Sequence, residues 1–387
     1  MPQTAMKLLP QPLPHRYTLT QYLIDQRKRY PEATGDFNAL MLDVGLACKA
    51  ISRAVAFGKL GAIPGHPVVD METDACCAQH AAPPQGASPG AQKKALDDVS
   101  NACFIRMNSW GGHLAGMISE EMPQPCQIPT GQPRGKYLLA FDPVDGSVNI
   151  DVNVTVGSIF SILRAPDEVV NSGRDVVVED FLQPGCKQVA AGYALYGPMT
   201  MLVMSVGHGV FGFTLDPNLG QFMLTHPDMR IPEETREFAI NASNARFWEP
   251  PVKRYVDECL AGESGERGKD FNMRWVASMA AETHRILMRG GVFMYPVDTR
   301  DPARPAKLRL LYEANPIAFL VEQAGGRAST GYEPVLQVQP KDVHQRVGLI
   351  CGSRSEIERI ERYHQEKTHD APLRSPLFAE RGLFRQC

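Results

Sequence analysis

An apolar run, Lys136-Tyr137-Leu138-Leu139-Ala140-Phe141, passes without a spacer into Asp142-Pro143-Val144-Asp145-Gly146-Ser147. The run predicts a strand, and Pro143 fixes φ in the turn expected after it, so two carboxylates three residues apart are aimed at one cation. Gly146 and Ser147 then offer backbone N–H groups and a hydroxyl, the donors a phosphate needs beside metal-bound oxygens. An ordinary Asp-Pro turn leading into an Asp-Gly hairpin fits the same residues.

Two further acidic elements lie upstream. Glu120-Glu121 closes a second short apolar run, Ala115–Ile118, and adjacent carboxylates there repel unless cations or protons intervene. Asp97 lies in a segment of helical period beside Asp98. Each has a bland alternative, a surface acidic turn for the pair and a solvated helix face for Asp97. The joint occurrence of helix Asp, strand-end Glu-Glu and strand-end Asp-x-x-Asp-Gly-Ser is more specific than its parts. Oxygen donors of this kind suit Mg²⁺ or Mn²⁺ rather than zinc.

Composition narrows the remainder. With 40 Lys+Arg against 43 Asp+Glu the net charge is −3, which argues against a nucleic-acid partner recruited by bulk charge. At 387 residues the chain exceeds the ~250–300 at which one core stops growing, so two domains are expected, 1–220 and 221–387, divided near Gln221. No stretch reaches the ~18 uninterrupted apolar residues of a membrane span, and Met1–Pro14 has no core of signal-peptide length. A soluble cytoplasmic protein without a membrane partner is expected. The nine cysteines form no C-x-x-C and read mostly as small buried hydrophobes, with Cys76-Cys77 inside a Pro/Gly/Ala-rich loop over Gly61–Gly90.

Periodicity predicts helices opened by Thr18 or Thr20, by Asp36 as N-cap, and over Lys93–Trp110, then strands over Lys136–Asp142, Gly157–Leu163, Val189–Tyr196, Met199–Val206 and Val210–Leu215. Helices are expected over Pro250–Leu260, Val276–Arg289 and Lys307–Gln323, strands over Val292–Tyr295 and Val347–Cys351, and a last helix with a Ser353/Glu356 capping box. The class is α/β, mixed α+β with layered sheets.

The three acidic elements, in this order, resemble the metal-dependent, lithium-sensitive sugar and inositol phosphatases. Phe141–Leu163, together with Lys307–Gly326, Leu182–Val203, Phe238–Trp248, Met273–Met279 and Gly290–Pro296, resembles class I fructose-1,6-bisphosphatase over about Leu19 to His364. The resemblance implies a layered α-β-α-β-α fold and Mg²⁺-dependent hydrolysis of the 1-phosphate of fructose 1,6-bisphosphate, in gluconeogenesis or the Calvin cycle. It implies metal ligation by Glu120, Asp142, Asp145, Glu313 and the Val144 carbonyl, with Glu121 assisted by Asp97 as base. Substrate contacts follow at Asp145, Gly146, Ser147, Asn241, Tyr295 and Lys307, and at Arg274 from a neighbouring subunit of a homotetramer. Pro316 is expected to break the helix of Glu313 and turn that carboxylate inward.

This chain departs from the family pattern at Val144, Val148, Ala95, Ala102, Asn244 and Trp275. Val148 replaces a hydroxyl near the phosphate or else faces the core. Thr34, Gly35, Asp36, Lys136 and Tyr137 resemble the family's allosteric AMP site, with Asn38 where Thr is frequent; a simple helix cap with a strand-opening Lys explains the same residues. The alternatives to the leading activity are a sedoheptulose-1,7-bisphosphatase or dual enzyme, and a catalytically weak sugar-phosphate-binding regulatory protein.

Overall fold

The structure, a computed structural model, describes residues 17–29, 35–58 and 91–366. The Gly61–Gly90 loop with Cys76 and Cys77, Thr34 of the expected AMP site, the side chain of Ala95, and Cys387 lie outside the described residues. Of the cysteines, the six described are free, and five of these are buried.

Thr18, not Thr20, caps the first helix, α1 (Leu19–Arg29). Its Oγ1 accepts from the Gln21 N–H at 3.2 Å while Gln21 Oε1 accepts from the Thr18 N–H at 2.8 Å, a reciprocal box. The second, α2 (Gly35–Phe57), starts one residue ahead of the expected cap, so Asp36 sits within its first turn, where a carboxylate still meets the favourable end of the helix dipole. Helix α3 (Ala91–Asn108) stops short of Trp110, which is exposed.

Strands β1 (Leu114–Ser119), β2 (Cys126–Gln127), β3 (Tyr137–Asp145), β4 (Val156–Arg164), β5 (Ala190–Tyr196), β6 (Thr200–Ser205), β7 (Phe211–Asp216) and β8 (Gln221–His226) form one sheet in the order β2-β1-β3-β4-β5-β6-β7-β8. Two short helices, α4 (Asp167–Ser172) and α5 (Val178–Phe181), cover it near β1 and β3. The second half contributes β9 (Glu237–Ile240), α6 (Pro250–Ala261), β10 (Asn272–Met273), α7 (Met279–Arg289), β11 (Val292–Tyr295), β12 (Leu308–Arg309), α8 (Asn315–Gln323), β13 (Arg327–Ser329), β14 (Arg346–Val347), β15 (Leu349–Gly352) and α9 (Arg354–Gln365). Its main sheet runs β10-β9-β11-β15-β13, and β12 pairs with β14 apart from it.

Burial assembles these into five layers. Alternate residues of β3, Leu139 and Phe141, pack against α1, α2 and α3, while Leu138 and Ala140 point to the opposite face, as period two requires. The α7–α8 layer lies between the two sheets, joining Ile159 and Tyr193 of the first to Ala239, Phe293 and Cys351 of the second. Phe238, Ile240, Val292 and Met294 point outward onto α6 and α9. The order is therefore α-β-α-β-α. A strand covered on both faces needs no polar alternation, which is why Tyr137–Phe141 reads as one apolar run.

Three expectations change. The single helix over Lys307–Gln323 is β12, then one π turn (Leu310–Ala314) in which the Asn315 N–H donates to the Leu310 carbonyl five residues back, then α8. Pro316 does not break α8. It occupies the first turn, where its missing N–H costs nothing. The run Val347–Cys351 splits between β14 and β15. The strand β8, which opens at Gln221, pairs with β7 at the edge of the first sheet.

The Ser353/Glu356 capping box does not form. Ser353 Oγ accepts instead from the Gly291 N–H at 3.2 Å, and buried Glu356 receives both the Arg267 guanidinium, at 2.7 Å, and the Tyr255 hydroxyl, at 2.9 Å. Loss of a cap costs about 1 kcal/mol, whereas removing one partner of a buried ion pair costs about 3–5 kcal/mol. Glu356→Ala is therefore expected to lower unfolding stability by about 3–5 kcal/mol, read from denaturant midpoints. A loss of only about 1 kcal/mol would return Glu356 to a capping role.

Candidate active site

Strict alternation along a strand would send residues 142 and 145 to opposite faces. The pairing of β3 with β4 prevents this: Asp142 opposes Ile159 and Asp145 opposes Gly157, so three steps on β3 match two on β4. The extra residue is a bulge, and Pro143, which has no N–H to give a central ladder, is tolerated there. The expected turn is thus a bulged strand end, and no Asp-Gly hairpin forms, because Ser147–Val152 continues as a 3₁₀ helix. The bulge brings Asp142 and Asp145 together with Glu313, each with a carboxylate oxygen within 4.8 Å of the others and all three buried.

Each carboxylate is fixed by its own element. Asp142 Oδ1 accepts from the Val144 N–H at 3.0 Å. Asp145 Oδ2 accepts from Ser278 Oγ at 2.7 Å and from the Ala280 N–H at 2.8 Å, at the start of α7. Glu313, carried by the π turn, accepts from the Arg309 N–H at 2.6 Å. Parallel pairing sets the end of β1 beside β3, where the Glu120 N–H donates to the Phe141 carbonyl at 3.1 Å and the Glu120 carboxylate meets Arg309 Nε at 3.2 Å. Glu121 is exposed in the following turn. Asp97 is buried on α3, which packs against β3.

Burial pushes the Asp142 carboxyl well above the ordinary range, and the charges of Glu120, Asp145, Glu313 and Glu121 push it further. Asp145 and Glu313 are raised for the same first reason, Asp145 against the pull of its Ser278 hydrogen bond. Three buried acids, with Glu120 at their edge, require protons or a cation where charge is poorly solvated. Hard oxygen donors at this spacing fit a divalent ion, so these residues suit the metal that the acidic pattern implied.

Two glycines make the approach of α7 possible. A Cβ at Gly146, whose φ is +74°, would lie 2.8 Å from Ser278 Cβ, and one at Gly157 would lie 2.4 Å from Ala280 Cβ. Ser278 was not singled out in the sequence, although a Ser directly ahead of a helical run is an N-cap signal, and its Oγ does accept from the Ala281 N–H at 3.3 Å.

The residues expected to hold the other end of the sugar phosphate lie at or just beyond strand ends in the second half of the chain. Tyr295 and Lys307 line a cavity of about 210 Å³. Asn241 lines the adjoining depression with Asn244 and Tyr295. Asn241 Oδ1 also accepts from Ser243 Oγ at 2.6 Å, capping a 3₁₀ turn. Arg274 sits apart, half-exposed, with Glu237 at 3.7 Å. Ser147 opens the 3₁₀ helix, and Val148 is 60% exposed, so the core alternative for Val148 is overturned. At the other end of the first sheet, Lys136 pairs with Asp36 at 3.2 Å and Tyr137 is buried against Phe37.

Residues 17–227 match the profile of the fructose-1-6-bisphosphatase N-terminal domain, and residues 231–365 that of the C-terminal domain. A class 1 fructose-1,6-bisphosphatase of Hydrogenophilus thermoluteolus is 62% identical over 371 residues, 96% of this chain and 98% of the relative. One from Methylibium petroleiphilum is 58% identical over 369 residues, 95% of this chain and 98% of the relative. Among solved structures, Leishmania major fructose-1,6-bisphosphatase in holo form superposes with a TM-score of 0.76 at 36% identity, covering 90% of this chain and 99% of that one. The T-state of the same enzyme gives 0.74 at 35%, with the same coverage.

The raised carboxyls generate a pH prediction. Acids with elevated folded pKa values contribute stability that is present below the ordinary carboxylate range and lost as pH rises through the folded values, so the cation-free protein loses stability toward neutral pH. A bound cation removes that penalty. Saturating Mg²⁺ is expected to raise the melting temperature by several degrees at about pH 8 and clearly less at about pH 5.5. An equal gain at both pH values would place the cation elsewhere.

Proposed function

The chain belongs to the class 1 fructose-1,6-bisphosphatase family, and we propose that its buried carboxylate cluster performs that family's hydrolysis at the 1-phosphate, giving fructose 6-phosphate and phosphate. It is a phosphoric monoester hydrolase acting on fructose 1,6-bisphosphate. The non-catalytic regulatory alternative is therefore set aside. The observation that carries the assignment of the reaction to this site is the convergence of Asp142, Asp145 and Glu313 from a bulged strand and a π turn.

In this proposal Glu120, Asp142, Asp145, Glu313 and the Val144 carbonyl hold Mg²⁺, with Mn²⁺ as a substitute. The ion supplies Lewis-acid neutralisation of phosphoryl charge. Gly146 N–H and Ser147 at the start of the 3₁₀ helix present donors to the 1-phosphate. Glu121, whose charge reaches Asp142, takes the proton of the attacking water, and Asp97 supports it from α3. Lys307, Tyr295 and Asn241 hold the uncleaved 6-phosphate end.

The proposal extends to a cytoplasmic homotetramer. Arg274 lies away from its own chain's Lys307 cavity and is half-exposed, which supports its service to a neighbour's site. For AMP to bind at Gly35, Asp36, Lys136 and Tyr137, its phosphate would have to displace Asp36, the present counter-ion of Lys136. No helix among the described residues is long and apolar enough to cross a membrane.

The deciding measurement is phosphate release from fructose 1,6- and sedoheptulose 1,7-bisphosphate, with Mg²⁺ and with excess chelator. Release from the fructose compound that vanishes on chelation and returns with Mg²⁺ is expected, and full activity in chelator would sink the assignment. Glu121→Gln and Asp97→Asn are each expected to lower kcat by about 10²–10⁴ with KM little changed. A raised KM at unchanged kcat would remove either residue from proton transfer. Arg274→Gln is expected to raise KM by about tenfold in the tetramer. A fully active monomer would exclude Arg274 from the site.

A further inference from the structure

The cavity beside Tyr295 holds more positive charge than Lys307 alone provides. Arg300 and Arg304 reach it from the loop between β11 and β12, and Arg346 reaches it from β14. None of these four cations forms an ion pair among the described residues. Two carboxylates also line the cavity, but both are engaged by their own loop: Asp298 Oδ1 accepts from the Arg300 N–H at 3.0 Å and Asp301 Oδ1 from the Ala303 N–H at 3.1 Å. Two positive charges remain in excess, in a recess of about 210 Å³.

The β12–β14 pair sharpens this. Arg309 and Arg346 are direct partners across that antiparallel ladder, a placement that is unfavourable for like charges. Glu120 discharges Arg309 on the side of the carboxylate cluster. Arg346 has no carboxylate at ion-pair distance among the described residues; partial burial and the charges of Arg309 and Arg304 lower its affinity for its proton, against a weaker pull from Glu120 and Glu313. Cations are crowded in this way where an anion is to be received.

The geometry points to Arg304 and Arg346 as the residues that, with Lys307, clamp the phosphate that is not cleaved, and so set the preference for a bisphosphate over a monophosphate; this deepens the proposed activity and rests on it for the identity of the sugar. A guanidinium offers two parallel N–H donors to a phosphate, which an ammonium such as that of Lys307 does not. Arg346 lines the cavity from the strand that pairs with Arg309, and Arg304 lines it from the exposed loop before β12, so an anion received there would meet both guanidinium groups. Arg300 belongs to the rim, where its Nη1 lies 3.5 Å from Asn244 Oδ1.

Steady-state kinetics on Arg304→Gln, Arg346→Gln and the double variant test the clamp. Each single change is expected to raise KM for fructose 1,6-bisphosphate by about 5–50-fold with kcat within about twofold, while kcat/KM for fructose 1-phosphate stays unchanged. Arg304 is exposed on a loop, so its variant keeps the test valid if the half-buried Arg346 change impairs folding. Unchanged KM in Arg304→Gln, or an equal loss on both substrates, would overturn the clamp. Should the unaltered chain fail to hydrolyse the bisphosphate, the activity falls and calorimetric titration with fructose 6-phosphate still decides the cavity. Binding weakened by Arg304→Gln supports the clamp, and binding that is absent or unaffected overturns it.

Discussion

One surplus residue in a central strand governs the arrangement of this molecule's acids. Without the bulge at Pro143, Asp142 and Asp145 would face opposite layers of the sandwich, one against α1–α3 and the other against α7 and α8. With it, they share a side, and the neighbouring elements are shaped to meet them there. The close approach of α7 requires Gly157 beneath Ala280, so that two N-terminal donors of the helix reach Asp145. The π turn before α8 carries Glu313 to the same point.

Such convergence is costly, and the cost is visible locally. Ala277 sits at φ +61°, a left-handed conformation worth about 1–2 kcal/mol of strain for a residue with a Cβ. It is held there because the Val276 N–H donates to buried Glu282 at 2.6 Å, the Val276 carbonyl accepts from Asn149 at 3.0 Å, and Trp275 stacks on Phe293. Those contacts stretch from the 3₁₀ helix after β3 to the second sheet. The loop that delivers Ser278 to Asp145 is therefore braced from both halves of the chain, and rigidity at the carboxylates is a property of the whole sandwich.

What could be read from the sequence divides along a physical line. The apolar runs of β3 to β7 and the stripe of α2 were legible because burial imposes a period, and the acids at strand ends stood out against them. The bulge was not legible as such: Asp-Pro-Val-Asp-Gly carries the marks of a turn, and only the register of β4 reveals that the strand continues. Lys307–Gln323 read as one helix because Leu310–Val321 is buried at every position, so no apolar period marks where the π turn gives way to α8. Glu356 matched a capping pattern whose geometry is overruled by Arg267, 89 residues away in the chain. Arg304 and Arg346 carry no local pattern, since a cluster of cations brought from separate elements to one cavity exists only after folding.

The two ends of the candidate site are electrostatic complements, and Arg309 stands where they meet. Its backbone N–H holds Glu313 and its guanidinium holds Glu120, so it neutralises the acidic half from within. Directly across the β12–β14 ladder, Arg346 opens the basic half. A molecule with phosphates at both ends matches this polarity in a way that one phosphate does not: in the proposed arrangement one end would meet donors and a cation held by carboxylates, while the other would meet guanidinium and ammonium groups directly. The two halves are joined by a ladder of only two paired residues, β12 to β14, which runs at one end straight into the π turn. The backbone irregularity that places Glu313 thus directly follows the strand that places Arg309 opposite Arg346.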